Sequence, residues 1–231
     1  MSLVILPIAG MPEIQPGDDL AAMIVDAGAE QGLALADNDI VVVTHKVVSK
    51  AEGRIAEIVD EDRYRALVEG EAAAIVRRRG DLVIAKTKHG FICANAGVDR
   101  SNTAPGTAVL LPVDPDRSAH RLRTLLERRT GARLAVIITD TFGRPWRRGL
   151  VDVAIGVSGM TPILDLRGTP DAAGRIMEVT EIAIVDEVAA AADLVMGKAE
   201  RVPVAVVRGL GIDGDGRASD LIRPPREDLF R

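Results

Sequence analysis

With 231 residues, 47% of them hydrophobic, the chain is long enough to bury a core without a metal or disulfide staple. Only 2% are aromatic, so that core is built from Val, Ile, Leu and Ala, and base stacking on rings is excluded as a main binding mode. A net charge of −5 argues against counterion-releasing nucleic-acid binding by the chain as a whole, and the single cysteine, Cys93, excludes an intrachain disulfide and a four-thiolate zinc site.

Residues 3–8 read as a short strand that runs into a turn at Pro12, Pro16 and Gly17. Asp18 then caps a helix in which Leu20, Met23, Ile24 and Ala27 repeat on one face. Ile40 to Thr44 is a β-branched run, the pattern of a strand buried on both faces, and it delivers His45 and Lys46 to its end. After the polar segment Ser49 to Arg54, a second helix is expected from about Asp60 to Arg79, ending on arginines and Gly80. Strands follow at 82–86 and 90–94, then a loop from Asn95 to Asn102. Asp114-Pro115-Asp116 opens a helix marked by Leu122, Leu125 and Leu126, and Ala135 to Thr139 is an apolar strand that runs into Asp140. Gly149 to Gly159 reads as strand with close backbone approach, 178–196 as an Ala-rich helix, and Pro203 to Arg208 as a last strand. Strands and helices mix without a strict βαβ rhythm, so the fold class is α+β, with mixed sheets and flanking helices. No span of about 20 apolar residues and no leader-like N-terminus is present, which leads to the expectation of a cytoplasmic protein, neither secreted nor membrane-inserted.

Chemistry concentrates around Asp140 and Thr141. A carboxylate and a hydroxyl where a buried strand ends suit a hard divalent cation, and suit a capped turn equally well. Arg144, Arg147 and Arg148 follow directly, guanidinium groups fit for a polyphosphate or, alternatively, a solvated turn. Asp99 and Asn102 offer a second carboxylate and an amide in a small-residue loop whose composition also describes an ordinary turn. Lys50, with Lys46 and Arg54 nearby, is placed to neutralise phosphate charge. Gly209-Leu210-Gly211-Ile212-Asp213-Gly214 has the glycine spacing of a dinucleotide site, but too few residues remain for the required βαβ unit, and it reads as a loop. No P-loop occurs, the histidines are scattered, and Cys93 reads as a small core residue.

Taken in order, Leu6 to Ile14 with Pro16 to Leu20, Val48 to Arg54, Asn95 to Asp99 with Ser101-Asn102, Leu111 to Asp116, Ile138 to Thr141 with Gly143-Arg144, and Val206 to Gly209 resemble the coenzyme F420:L-glutamate ligase family over nearly the whole chain. The resemblance implies a single gamma-glutamyl ligase domain spanning 1–231, two-lobed, forming an intertwined homodimer and lacking the reductase domain of longer relatives. It implies a GTP-dependent ligase that requires magnesium or manganese, with potassium as an activator. By motif match, Asp99, Asp140 and Thr141 would bind divalent metal, while Met11, Pro12, Glu13, Ile14, His45, Lys50 and Asn102 would contact the guanine nucleotide. Asp140 and Arg144 would carry catalysis by spreading charge on the transferred phosphoryl group. The substrates implied are coenzyme F420-0, L-glutamate and GTP, joined through an acyl phosphate, with later glutamates added by γ-linkage. Two departures from the family pattern stand out: His45-Lys46, in place of small hydroxyl residues, and Lys198, in place of the acidic residue of some relatives. A metal-dependent phosphohydrolase or nucleotidyl-transferring enzyme and a silent nucleotide- or deazaflavin-binding protein are the competing readings of the same residues.

Overall fold

The β-branched run Ile40–Thr44 (β2) and the apolar run that opens Ala135–Arg144 (β8) lie side by side and parallel in the middle of a five-stranded sheet. This computed structural model describes residues 2–211 and 213–228. The remaining elements are β1 (Val4–Ile8), α1 (Leu20–Glu30), α2 (His45–Ala51), β3 (Ile55–Glu57), α3 (Glu61–Glu71), β4 (Ala72–Arg79), β5 (Leu82–Thr87), β6 (Ile92–Ala94) and β7 (Thr107–Val109). They continue with α4 (Pro115–Thr130), β9 (Arg147–Ser158), β10 (Leu164–Asp165), β11 (Glu181–Ile182), α5 (Ile184–Met196) and β12 (Val204–Arg208).

The central sheet has the order β1-β12-β2-β8-β9, and only the β2/β8 pair is parallel. Side chains alternate across it, which explains why its middle strands are apolar without interruption. Val41, Val43, Val136, Ile138, Val204 and Val206 enter one core with residues of α1 and α4. Ile40, Val42, Ala135, Ile137, Ala205 and Val207 enter another, covered by Ile184, Val185, Val188 and Ala192 of α5. A third, smaller cluster gathers Val68, Val83, Ala85, Val98 and Leu110 around α3, β5 and the loop after β6. Small sheets β3-β7, β4-β5-β6 and β10-β11 complete a mixed α+β architecture. Among the described residues, no helix is long and apolar enough to cross a membrane.

Several expected elements shift. The helix expected from Asp60 to Arg79 stops at Glu71, and Ala72–Arg79 is a strand paired antiparallel with β5, Gly80 taking φ 59° in the turn. Strand pairing overrides the helix preference of its alanines and arginines. The α1 cap is Asp19, whose Oδ1 accepts from Ala22 N at 3.0 Å; Asp18 instead accepts from Gln15 N at 2.7 Å and closes the Pro16-Gly17 turn. The C-terminal Ala-rich helix begins only at Ile184, because Glu181–Ile182 pairs with Leu164–Asp165. Close approach in β9 is real at Gly156, where a Cβ would lie 2.3 Å from the Pro115 carbonyl oxygen. Of the glycine motif near the C-terminus, Gly209 to Gly211 and Asp213-Gly214 are loop, and Ile212 lies outside the described residues.

Candidate functional site

A helix of seven residues, about two turns, organises the site. The segment read from sequence as a strand end and a polar stretch is α2, which starts directly at the end of β2. Positions four apart share a helix face. Thus His45 and Ser49 point inward, at 1% and 0% exposure, while Lys46 and Lys50 line a cavity of about 1180 Å³. Met11 to Pro16 form one rim of that cavity, Asn102 to Ala104 and Thr107 another, and Met196 to Ala199 with Arg201 to Pro203 a third. Thr141 and Asp152 stand on its β8/β9 side.

Each cavity lysine is held by a defined partner. Lys50 Nζ donates to Glu13 Oε1 at 2.5 Å and to the Asn102 carbonyl at 3.0 Å, so it joins two rims. Lys46 Nζ meets Asp99 Oδ2 at 2.8 Å and donates to Ser101 Oγ at 2.6 Å. Burial works against the Asp99 charge, but the Lys46 ammonium and the N–H and hydroxyl of Ser101 outweigh it, and the carboxyl sits below its ordinary range. The Asp99 backbone is fixed by reciprocal bonds to Val109 of 2.9 and 2.8 Å. Lys198 Nζ donates to Thr141 Oγ1, and the Lys198 carbonyl accepts from Asn102 Nδ2 at 3.1 Å.

Behind the wall lies a buried polar network. The Thr141 hydroxyl donates to Asp152 Oδ1 at 2.5 Å and the Thr139 hydroxyl to Asp152 Oδ2 at 2.9 Å, with Asp152 only 4% exposed. His45 Nε2 stands 3.3 Å from Asp140 Oδ1 without a well-aligned hydrogen bond, and its Nδ1 lies 3.4 Å from Ser49 Oγ. Burial, with the Asp140 charge second, pushes the Cys93 thiol up to about 12, which leaves it an inert core residue.

The structure brings most sequence-derived candidates to one place. Met11, Pro12, Glu13, Ile14, Lys50, Asn102 and Thr141 all line the cavity. Asp99 is joined to it through Lys46, and Asp140 is joined to the same turn of α2 through His45. His45 itself is buried behind the wall, and Lys46 beside it faces the cavity. Arg144 lies away from this lining, near the tip of the β8–β9 hairpin, donating to the Arg148 carbonyl at 3.2 Å; Arg147 and Arg148 are likewise exposed. Arg54 turns to Glu71 at 2.8 Å and to the Leu111 carbonyl at 3.0 Å, so its work is structural. Asp152, absent from the sequence reading, is the Cα partner of Thr141 in the hairpin register.

The sequence of this chain matches the F420-0:Gamma-glutamyl ligase family over residues 9–209. It is 43% identical to the coenzyme F420:L-glutamate ligase of Methanothermobacter thermautotrophicus over the whole of both chains. The chain belongs to this family. The proteins of the same name from Methanopyrus kandleri, 41% identical over 100% of this chain and 98% of the relative, and Methanocaldococcus jannaschii, 42% identical over 84% and 85%, agree. In this family member, no three His, Cys, Asp or Glu side chains of the described residues converge as a ready metal set. The donors at hand, Asp99, Asp140, Thr141 and Asp152, are oxygen throughout, and that chemistry fits magnesium or manganese rather than a thiophilic ion.

Proposed function

We propose that this chain ligates L-glutamate to coenzyme F420-0, using GTP to activate the acceptor carboxylate. The full-length match to coenzyme F420:L-glutamate ligases carries the ligase reading. The cavity supports the assignment of roles. The γ-phosphoryl group of GTP passes to the carboxylate, giving an acyl phosphate and GDP; the glutamate amine then attacks the acyl carbon, and phosphate leaves as the amide forms.

Positioning and charge neutralisation dominate such a transfer, and no side-chain nucleophile is required. Lys50, bridging Glu13 and the Asn102 carbonyl, is placed to hold the nucleotide phosphates between two rims, and Lys46 adds a second positive charge on the same helix face. Asp99 and Asp140 would hold magnesium or manganese; Thr141, the third residue assigned to metal by resemblance, has its hydroxyl engaged by Lys198. Bound metal supplies charge neutralisation for the transferring phosphoryl group. His45 Nε2 stands 3.3 Å from Asp140 Oδ1, and Ser49 Oγ lies 3.4 Å from the other ring nitrogen, so both pack behind this carboxylate.

The test is whether phosphate release depends on the amine. With GTP, F420-0 and magnesium or manganese present, GDP formation should rise steeply when L-glutamate is added. Equal release with and without glutamate would replace the ligase reading by a phosphohydrolase one.

A further inference from the structure

Lys46 and Lys50 reach the cavity from α2, and each meets a carboxylate, Asp99 and Glu13. Lys198 comes from a different wall, the loop after α5, and its ammonium meets the Thr141 hydroxyl. An ammonium only donates and a carboxylate only accepts, so the direction of the relay is fixed: Lys198 donates to Thr141, and Thr141 donates to Asp152 Oδ1 at 2.5 Å. The second oxygen of Asp152 is occupied by Thr139 at 2.9 Å. Asp193, near the end of α5, lines the same corner. Burial first and the charge of Asp152 second push its carboxyl up, while the charge of Lys198 pulls it down, so the three groups feel one another. The Lys198 backbone is pinned as well, its carbonyl accepting from Asn102 Nδ2 at 3.1 Å.

An ammonium delivered to a hydroxyl–carboxylate relay stands where a hydrated cation would collect oxygen ligands, but as a charge that cannot dissociate. We infer that Lys198 is a tethered cation that neutralises the Asp152–Thr141–Asp193 corner, removes Thr141 from metal ligation and keeps exchangeable divalent metal out of that corner. This rests on the reading that the cavity takes a divalent cation at all. Lys198 therefore sets how many metal ions the site takes.

Mn²⁺ alone, titrated into the full-length protein and followed by the paramagnetic resonance of free Mn²⁺, tests this. Lys198→Met and Lys198→Glu should each bind one Mn²⁺ more per chain than wild type, or bind the weakest ion at least about ten-fold more tightly. Lys198→Arg, which keeps the charge, should match wild type. Circular dichroism checks the fold; should Lys198→Met not fold, Lys198→Glu against Lys198→Arg decides. The same stoichiometry and affinity in all variants overturn the inference. Wild type without any Mn²⁺ binding beside a Lys198→Glu variant that binds it would count against metal use in the proposed reaction while supporting the role of Lys198.

Discussion

β2 with the first half of β8, and β4, are strands of opposite character. The first two are buried on both faces and end at the cavity, where Thr44, Lys46 and Thr141 line its wall. β4 pairs only with β5, every residue of it but Ala72 is exposed, and neither β4 nor β5 contributes to the cavity. Strands locked between two cores fix the direction of whatever follows them, and that is where this chain keeps its polar network. A strand held by one neighbour and by solvent offers no such precision.

The contrast can be broken at both ends. Asp140→Asn should lower turnover by about a thousand-fold, with melting temperature and circular dichroism unchanged. Near-normal turnover in saturating metal would take the carboxylate out of the chemistry. Ile137→Ala, at a fully buried position of β8, should cost about 3 kcal/mol in urea unfolding. A loss below about 1 kcal/mol would mean that the central strands are less tightly packed than the alternation of their side chains implies. Lys50→Met should weaken GTP binding about ten- to a hundred-fold, measured by calorimetry, since it removes a charge-assisted contact and leaves the fold alone. Unchanged affinity would assign Lys50 to tying Glu13 to Asn102 and nothing more. Ile75→Thr in β4, 40% exposed, should change stability by less than about 0.5 kcal/mol. A larger loss that shrinks at higher protein concentration would reveal a second copy of the chain covering the hairpin.

The central strands were legible because two-sided burial writes an unbroken apolar run, as in Ile40 to Val43 and Ala135 to Ile138. α2 was harder to see, since it is short and half polar; the spacing of Lys46 with Lys50 and of His45 with Ser49 is the signal that marks it. β4 reads as helix because its residues favour one, and its strand state comes from β5, whose paired residues lie three to fifteen positions away and are invisible to local propensity. Arg144 follows Asp140 closely in sequence, yet an extended chain rises about 3.3 Å per residue, and β8 carries the arginine toward the hairpin tip instead of the cavity. Asp152 could not be found from spacing alone, because its pairing with Thr141 depends on a register that includes an irregularity between Ile138 and Thr139. The resemblance over ordered motifs reached the rims, Met11 to Ile14 and Asn102, which no periodicity would have joined to Lys50.

The most direct test of the account incubates the purified protein with F420-0, GTP, L-glutamate and magnesium or manganese, and weighs the products by mass spectrometry. The account predicts F420-0 heavier by whole glutamyl residues, formed together with GDP and phosphate. F420-0 recovered at its original mass while GTP is consumed would contradict it.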